Sequence, residues 1–284
     1  MIVERSDTRA ITVRLSPDGV GWEQTFLLSS DRHHDNQYCD HDLEKKHLDE
    51  AKARGAGIID VGDLYDAMAG KWDKRADMNQ TRPELRVANY LDALVNYNAE
   101  FYEPYAENFV MISPGNHETS VFDRHQTDLT ERLVKRLQDK GSPVMMGTYS
   151  GWIRFMFSVG AFRQSLRLWY THGYGGGGPV TRDMIQAANR QLVYTEADIM
   201  VSGHTHDAWA VPVRREAVTD AGRVIYRDIE VIKCGGYKDE HQAGGGWAVQ
   251  KGHPPKPLGA CWLTFKCVNA ANGRKIIFET QRAK

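Results

Sequence analysis

Five times along this chain a short apolar run, too brief for a surface helix, stops at a side chain able to bind a metal. Phe26-Leu27-Leu28-Ser29-Ser30 runs into Asp31-Arg32-His33, and residues 57–61 run into Gly62-Asp63-Leu64-Tyr65-Asp66. Phe109-Val110-Met111-Ile112 leads to Gly115-Asn116-His117-Glu118, residues 166–171 lead to His172-Gly173, and Val201-Ser202-Gly203 leads to His204-Thr205-His206. Apolar runs of four to eight residues bounded by polar turns are the pattern of buried strands. In extended backbone, positions i and i+2 share a face, so Asp31 pairs with His33 and His204 with His206.

Between these runs the period changes. Residues 41–54 are rich in Glu, Lys, Leu and Ala and read as an amphipathic helix ending near Gly55. Residues 84–107 carry helical spacing through Leu85, Ala88, Leu91 and Val95, with Pro104 marking a break or a second helix start, and 126–140 form another helix that stops at Gly141. Residues 11–15 and 22–28 read as strands joined across Ser16-Pro17-Asp18-Gly19. Strand and helix in alternation imply parallel pairing with crossover helices. From 144 onward strands dominate, at 152–159, 166–171, 208–213, 224–233, 261–268 and 275–280, interrupted by a helix at 181–194. The expectation is an α/β fold with a second sheet packed on the first and helices outside, the 284 residues forming one domain. Segments 67–82 and 235–259 are long for simple connections and read as lids or solvated loops. His34, Asp35, Asp40, His41 and Asp42 read as a polar loop and helix start, with substrate contact as the alternative.

Carboxyl ends of parallel strands share one edge of a sheet, and ligands collect there. Asp31, His33, Asp63, Asn116, His172, His204 and His206 would then meet. Seven mixed nitrogen and oxygen donors are too many for one tetrahedral ion and suit two divalent ions bridged by a carboxylate. Such a pair clamps the attacking and leaving oxygens of a phosphoryl displacement.

Bulk composition changes little in this picture. Lys and Arg number 36 against 37 Asp and Glu, a net charge of −1, so no general field pulls the chain toward nucleic acid or an anionic membrane. The first residues, Met1 to Asp7, mix charge into their apolar positions, and no stretch reaches membrane-spanning length, so a cytoplasmic protein without membrane contact is expected. Cys39, Cys234, Cys261 and Cys267 lack Cys-x-x-Cys spacing and read as reduced thiols.

Asp31-x-His33, Gly62-Asp63-x-x-Asp66, Gly115-Asn116-His117-Glu118, His172-Gly173 and Gly203-His204-x-His206, in this order, resemble the motif set of the calcineurin-like metallophosphoesterases. The resemblance implies a two-sheet α/β/β/α sandwich. It also implies one metal held by Asp31, His33, Asp63 and His206 and another by Asp63, Asn116, His172 and His204. Manganese leads the candidate ions, followed by iron, zinc, cobalt or nickel. It further implies that His117 is the general acid, oriented by Asp66, since histidine titrates near neutrality and a carboxylate can fix its tautomer.

Taken singly, each of these residues also has a structural account. Asp31 and Asp63 could be helix N-caps, and Asn116 a turn residue. The expected substrate is a phosphate ester of the nucleotide or nucleic-acid class. Family protein phosphatases carry an arginine after the second aspartate of the Gly-Asp motif, where this chain has Ala67-Met68. That departure, with the Gly-His-x-His ending, favours diester cleavage over the alternatives, a phosphomonoesterase or protein phosphatase and a non-catalytic scaffold. A nuclease proper would want a basic, aromatic track, for which Lys71, Trp72, Lys74, Arg75, Trp247 and Lys251 are candidates.

Overall fold

A computed structural model describes residues 1–67, 77–176, 178, 180–241, 247–250, 252–271 and 273–284. Much of the two expected lids, residues 68–76, 242–246 and 251, lies outside the described residues, and so do Lys71, Trp72, Lys74, Arg75 and Lys251.

The chain builds two sheets. The six-stranded sheet contains β3 (Glu23–Ser29), β4 (Gly57–Asp60), β5 (Phe109–Ile112), β6 (Met145–Met146), β12 (Cys261–Ala270) and β13 (Gly273–Arg282), in the order β13-β12-β3-β4-β5-β6. Strands β3 to β6 are mutually parallel, and β12 and β13 add an antiparallel flank. The seven-stranded sheet contains β1 (Ile2–Asp7), β2 (Ala10–Leu15), β7 (Ser150–Val159), β8 (Phe162–Thr171), β9 (Ile199–Ser202), β10 (Trp209–Val218) and β11 (Val224–Lys233), in the order β1-β2-β7-β8-β9-β11-β10. Here β8, β9 and β11 run parallel.

Period-two alternation explains the layering. Phe26, Leu28, Ile59 and Val110 point from the first sheet toward Val13, Phe155, Leu168 and Val201 of the second, forming a shared apolar layer. Phe26, Phe155 and Phe265 meet there with ring centroids 4.7 to 5.8 Å apart. The alternate residues Leu27, Ile58 and Phe109 face the other way, onto α1 (His41–Ala53), α2 (Tyr90–Tyr102) and α4 (Leu129–Gln138). On the outer face of the seven-stranded sheet, Trp169 and Met200 pack on Ala187 of α5 (Met184–Val193). The architecture is thus mixed α/β, two sheets face to face with helices on both outer sides, as expected from the strand-rich second half. No helix among the described residues is long and apolar enough to cross a membrane.

Three local expectations change. Strands β2 and β3 do not pair across the Pro17-Asp18-Gly19 turn; they part into different sheets, and β2 instead pairs β1 and β7. The helix expected over 84–107 is shorter: Leu85 is buried in its own 3-10 turn (Pro83–Leu85), α2 begins at Tyr90, and Glu103–Asn108 is again 3-10. A helix α3 (Asn116–His125) starts directly at the Gly-Asn-His motif, a stretch for which no helix was expected.

Candidate metal centre

The carboxyl ends of β3, β4 and β5 from one sheet and of β8 and β9 from the other open onto one place, so the candidate residues straddle the seam between the layers. Nine non-glycine residues among those described have positive φ; five are Asp31, His33, Asp63, His204 and His206. Backbone strain of that kind costs on the order of 1–3 kcal/mol per residue and persists only where surrounding structure enforces it. Two glycines enforce it here by close approach. A Cβ on Gly115 would stand 2.1 Å from Asp63 Oδ1, and one on Gly203 would stand 1.8 Å from Ser30 Oγ and 2.6 Å from Asp31 Oδ2.

On one side, His33 Nε2 faces His206 Nε2 at 3.2 Å, and His206 Nε2 lies 3.4 Å from Asp31 Oδ1. Both Asp31 oxygens accept from the His204 N–H, at 2.8 and 3.1 Å. On the other side, His172 Nε2 sits 3.1 Å from Asp63 Oδ2 and 3.0 Å from Asn116 Oδ1, which is also 2.7 Å from His204 Nδ1. The second nitrogen of His172 lies 3.0 Å from the Val61 carbonyl, so Nδ1–H donates there and Nε2 keeps its lone pair for the centre. Donor atoms within each of the sets Asp31/His33/His206, His33/Asp63/His117 and Asp63/His172/His204 lie within 4.8 Å of one another.

His117 lines the same space, its Nε2 3.8 Å from Asp63 Oδ2. Its orienting contact differs from the expected one. Nδ1 donates to the main-chain carbonyl of Asp66 at 2.5 Å, while the Asp66 carboxylate is 3.9 Å away. That carboxylate lies 2.8 Å from His33 Nδ1, close but not aligned as a hydrogen bond, and accepts from Asn36 at 2.7 Å and Lys238 at 3.2 Å.

Electrostatics sort these groups. Burial pushes the Asp31 carboxyl up, yet His206 and His172 outweigh it and hold it well below the carboxylate range. Burial likewise opposes ionisation of Asp63, and His172 and His117 override it. Burial takes His33 down to about 4, leaving it neutral and able to donate a lone pair. His172 is raised to about 9: burial would lower it, but Asp63 and Asp31 face it. His172 thus holds a proton in a place that a cation would take. Contacts such as His33 Nε2 to His206 Nε2 need either a shared proton or a metal, and this donor set fits divalent ions of the manganese-to-zinc series.

Several residues at the site, though noted in the sequence, take a part there that the sequence did not assign. Glu118, 2% exposed, accepts from the N–H groups of Gly115, Asp63 and Tyr65 at 2.7 to 3.2 Å and so ties the turn after β4 to α3. Asp35 does the same for Asp66 and Ala67. The start of segment 235–259, residues 236–240, reaches the site: a Cβ on Gly236 would lie 2.9 Å from the Asp31 carbonyl, Lys238 contacts Asp66, and Glu240 Oε1 lies 3.9 Å from His206 Nδ1.

No family model matches the chain, and no curated protein does. Among solved structures, vacuolar protein sorting 29 from Cryptosporidium parvum is 11% identical, with 92% of this chain and 99% of that one covered and a TM-score of 0.39. GAP50, the anchor in the inner membrane complex of Plasmodium, is 12% identical, with 92% and 89% covered and a TM-score of 0.40. A single mutant of Vps29 from Entamoeba histolytica is 9% identical, with 91% and 99% covered and a TM-score of 0.31. Likenesses this distant carry no function across, and the chemistry of the centre stands on its own geometry.

Proposed function

We propose that the chain is a binuclear metal-dependent phosphoesterase that hydrolyses phosphodiesters of the nucleotide or nucleic-acid class, residues 1–284 acting as one domain. The supporting observation is the convergence of seven donor side chains from five strand ends of two sheets, five of the residues concerned lying in strained backbone. In this reading Asp31, His33, Asp63 and His206 hold one ion and Asp63, Asn116, His172 and His204 the other. When bound, such a pair acidifies water and offsets charge on phosphoryl oxygens.

The chain's own part is positioning and proton transfer. Glu118 and Asp35 hold the turn that presents Asp63 and Asp66. The Asp66 carbonyl fixes His117 through Nδ1, so Nε2 is the nitrogen left to face substrate. As the phosphorus–oxygen bond to the leaving group breaks, the departing oxygen takes the Nε2 proton of His117. Preference for a diester follows from what succeeds Asp66. Ala67 is buried, where a cation would be needed to hold a monoester dianion, and Lys238 is already paired with Asp66. The four free thiols, all buried, suit the reducing cytoplasm that the proposal takes as its setting.

The test is a substrate panel on manganese-loaded protein: an aryl phosphodiester, an aryl phosphomonoester, cyclic nucleotides and single-stranded DNA. Diester turnover that disappears in Asn116→Ala and His117→Ala is the expected result. Turnover of the monoester alone overturns the diester assignment, and metal uptake without turnover of any substrate overturns the enzyme.

A further inference from the structure

A second polar cluster lies on the far side of Arg32, away from the strand-end centre. Arg32 is wholly buried and faces two carboxylates, Asp60 Oδ2 at 2.6 Å and Glu44 Oε1 at 2.8 Å, both also wholly buried. A second guanidinium, Arg82, donates to the His34 carbonyl at 3.2 Å and lies 3.5 Å from that of Cys39, so buried carboxylates and cations are interleaved here. Tyr102 donates to Glu44 Oε1 at 2.5 Å but brings no charge.

Around the other oxygen of Glu44 stand three ligand-type side chains. His34 Nδ1 is 2.7 Å from Glu44 Oε2 and Cys39 Sγ is 3.7 Å from it, while the His41 ring lies flat on His34, centroids 4.0 Å apart and planes 9° apart. One donor atom from each of the four lies within 4.8 Å of the other three. Two of the imidazole nitrogens have their protons placed. His34 Nδ1–H donates to Glu44, leaving a lone pair on Nε2, which is buried with no hydrogen-bond partner; His41 Nε2–H donates to the His34 carbonyl at 2.8 Å, leaving Nδ1 its lone pair.

We propose that His34, Cys39, His41 and Glu44 form a third cation site for a zinc-class ion, distinct from the strand-end centre. Two imidazoles, a thiolate and a carboxylate are a donor set that zinc takes in four-coordinate sites. Loading forms a metal–sulfur bond and releases the Cys39 proton to water. A divalent ion with one thiolate adds one net positive charge, set directly against the Glu44 carboxylate. A single ion cannot lie in the planes of two rings stacked flat, nor reach both Glu44 and the far nitrogen of His34, so loading swings His41 off His34 and moves the His34 proton from Nδ1 to Nε2, freeing Nδ1 to bind beside Glu44. His41 is the first residue of α1 and the one member of the four that is not fully buried, which also makes it the way in.

Cobalt(II) reads the site separately from the strand-end centre, which contains no cysteine. The full chain, reduced and stripped by a chelator, is titrated with cobalt(II) and followed in the near ultraviolet for thiolate-to-cobalt charge transfer. The expected result is a band that vanishes in Cys39→Ser and persists in Asn116→Ala, so it stands whatever becomes of the phosphoesterase reading. In His41→Ala the band should need at least the roughly 10–100-fold more cobalt that loss of a supporting residue costs. No band at saturating cobalt, a band that survives Cys39→Ser, or one indifferent to His41→Ala each overturns the proposal. Should Cys39→Ser fail to fold by circular dichroism, His41→Ala, at a position that is only partly buried, keeps the test decisive.

Discussion

His172 is fixed at both nitrogens, and that gives the metal-free protein a defined response to pH. Its pKa is about 9 in the fold against 6.5 in an unfolded chain. A histidine raised in this way contributes stability that is fully present below about pH 6.5 and lost as pH rises through about 9. Glu118, pushed up to about 8 by burial and by Asp63, works in the same direction, because the folded state keeps a proton that the unfolded state gives up. Urea midpoints of the chelated protein should therefore fall between pH 6.5 and 9, and His172→Asn should flatten part of that fall. A midpoint that rises over this range would contradict the geometry around His172. His117→Ala is expected to lower kcat by roughly 10²–10⁴-fold with the metal content unchanged by elemental analysis, since a general acid is lost but no ligand is. At this scale the sequence was legible in part. Residue types and order pointed to all nine candidate residues, whereas the positive φ angles, the Glu118 contacts and the move of Asp66 from His117 to His33 depend on tertiary closure that no local pattern encodes.

Turns, more than strands, govern how well the candidate site is formed. Gly203→Ala would drive a methyl into Ser30 and Asp31, at a cost of about 1–3 kcal/mol for overpacking, and should weaken manganese binding by isothermal titration. Gly19→Ala, whose added carbon would meet nothing within 4 Å, is the control expected to change neither. Helix α4 offers a contrasting case: the Asp128 carboxylate caps it by accepting from the Glu131 N–H at 2.9 Å. Asp128→Ala should cost about 0.5–2 kcal/mol in denaturant unfolding while leaving turnover alone. Elements with strong periodicity, α1, α4 and the four-residue buried strands β4, β5 and β9, were legible because apolar runs and caps are local. Strand β1 was hidden by its charges, and β10, expected over 208–213, runs on to Val218 through an exposed alternation that gives no apolar run. From Val213 to Val218, β10 pairs only with β11, beyond the four residues of β11 that reach β9.

The two layers meet through aromatic side chains. Phe265→Ala, removing a ring that contacts Phe26, Phe155 and Phe157, should cost about 3–5 kcal/mol with no change in the m-value. The mixed α/β class and the outward helices followed from alternation of strand and helix; the strand order did not, because pairings such as β2 with β7 join residues about 140 apart in sequence. The placement of the candidate ligands across the seam has a thermodynamic corollary. Asp31, Asp63 and Asn116 belong to one layer and His172, His204 and His206 to the other, so under the proposed assignment an ion at either position rivets the layers together. Free ion at a hundred times its dissociation constant would then add about 2.7 kcal/mol to the unfolding free energy, and sequestering it would act as a mild denaturant aimed at that joint.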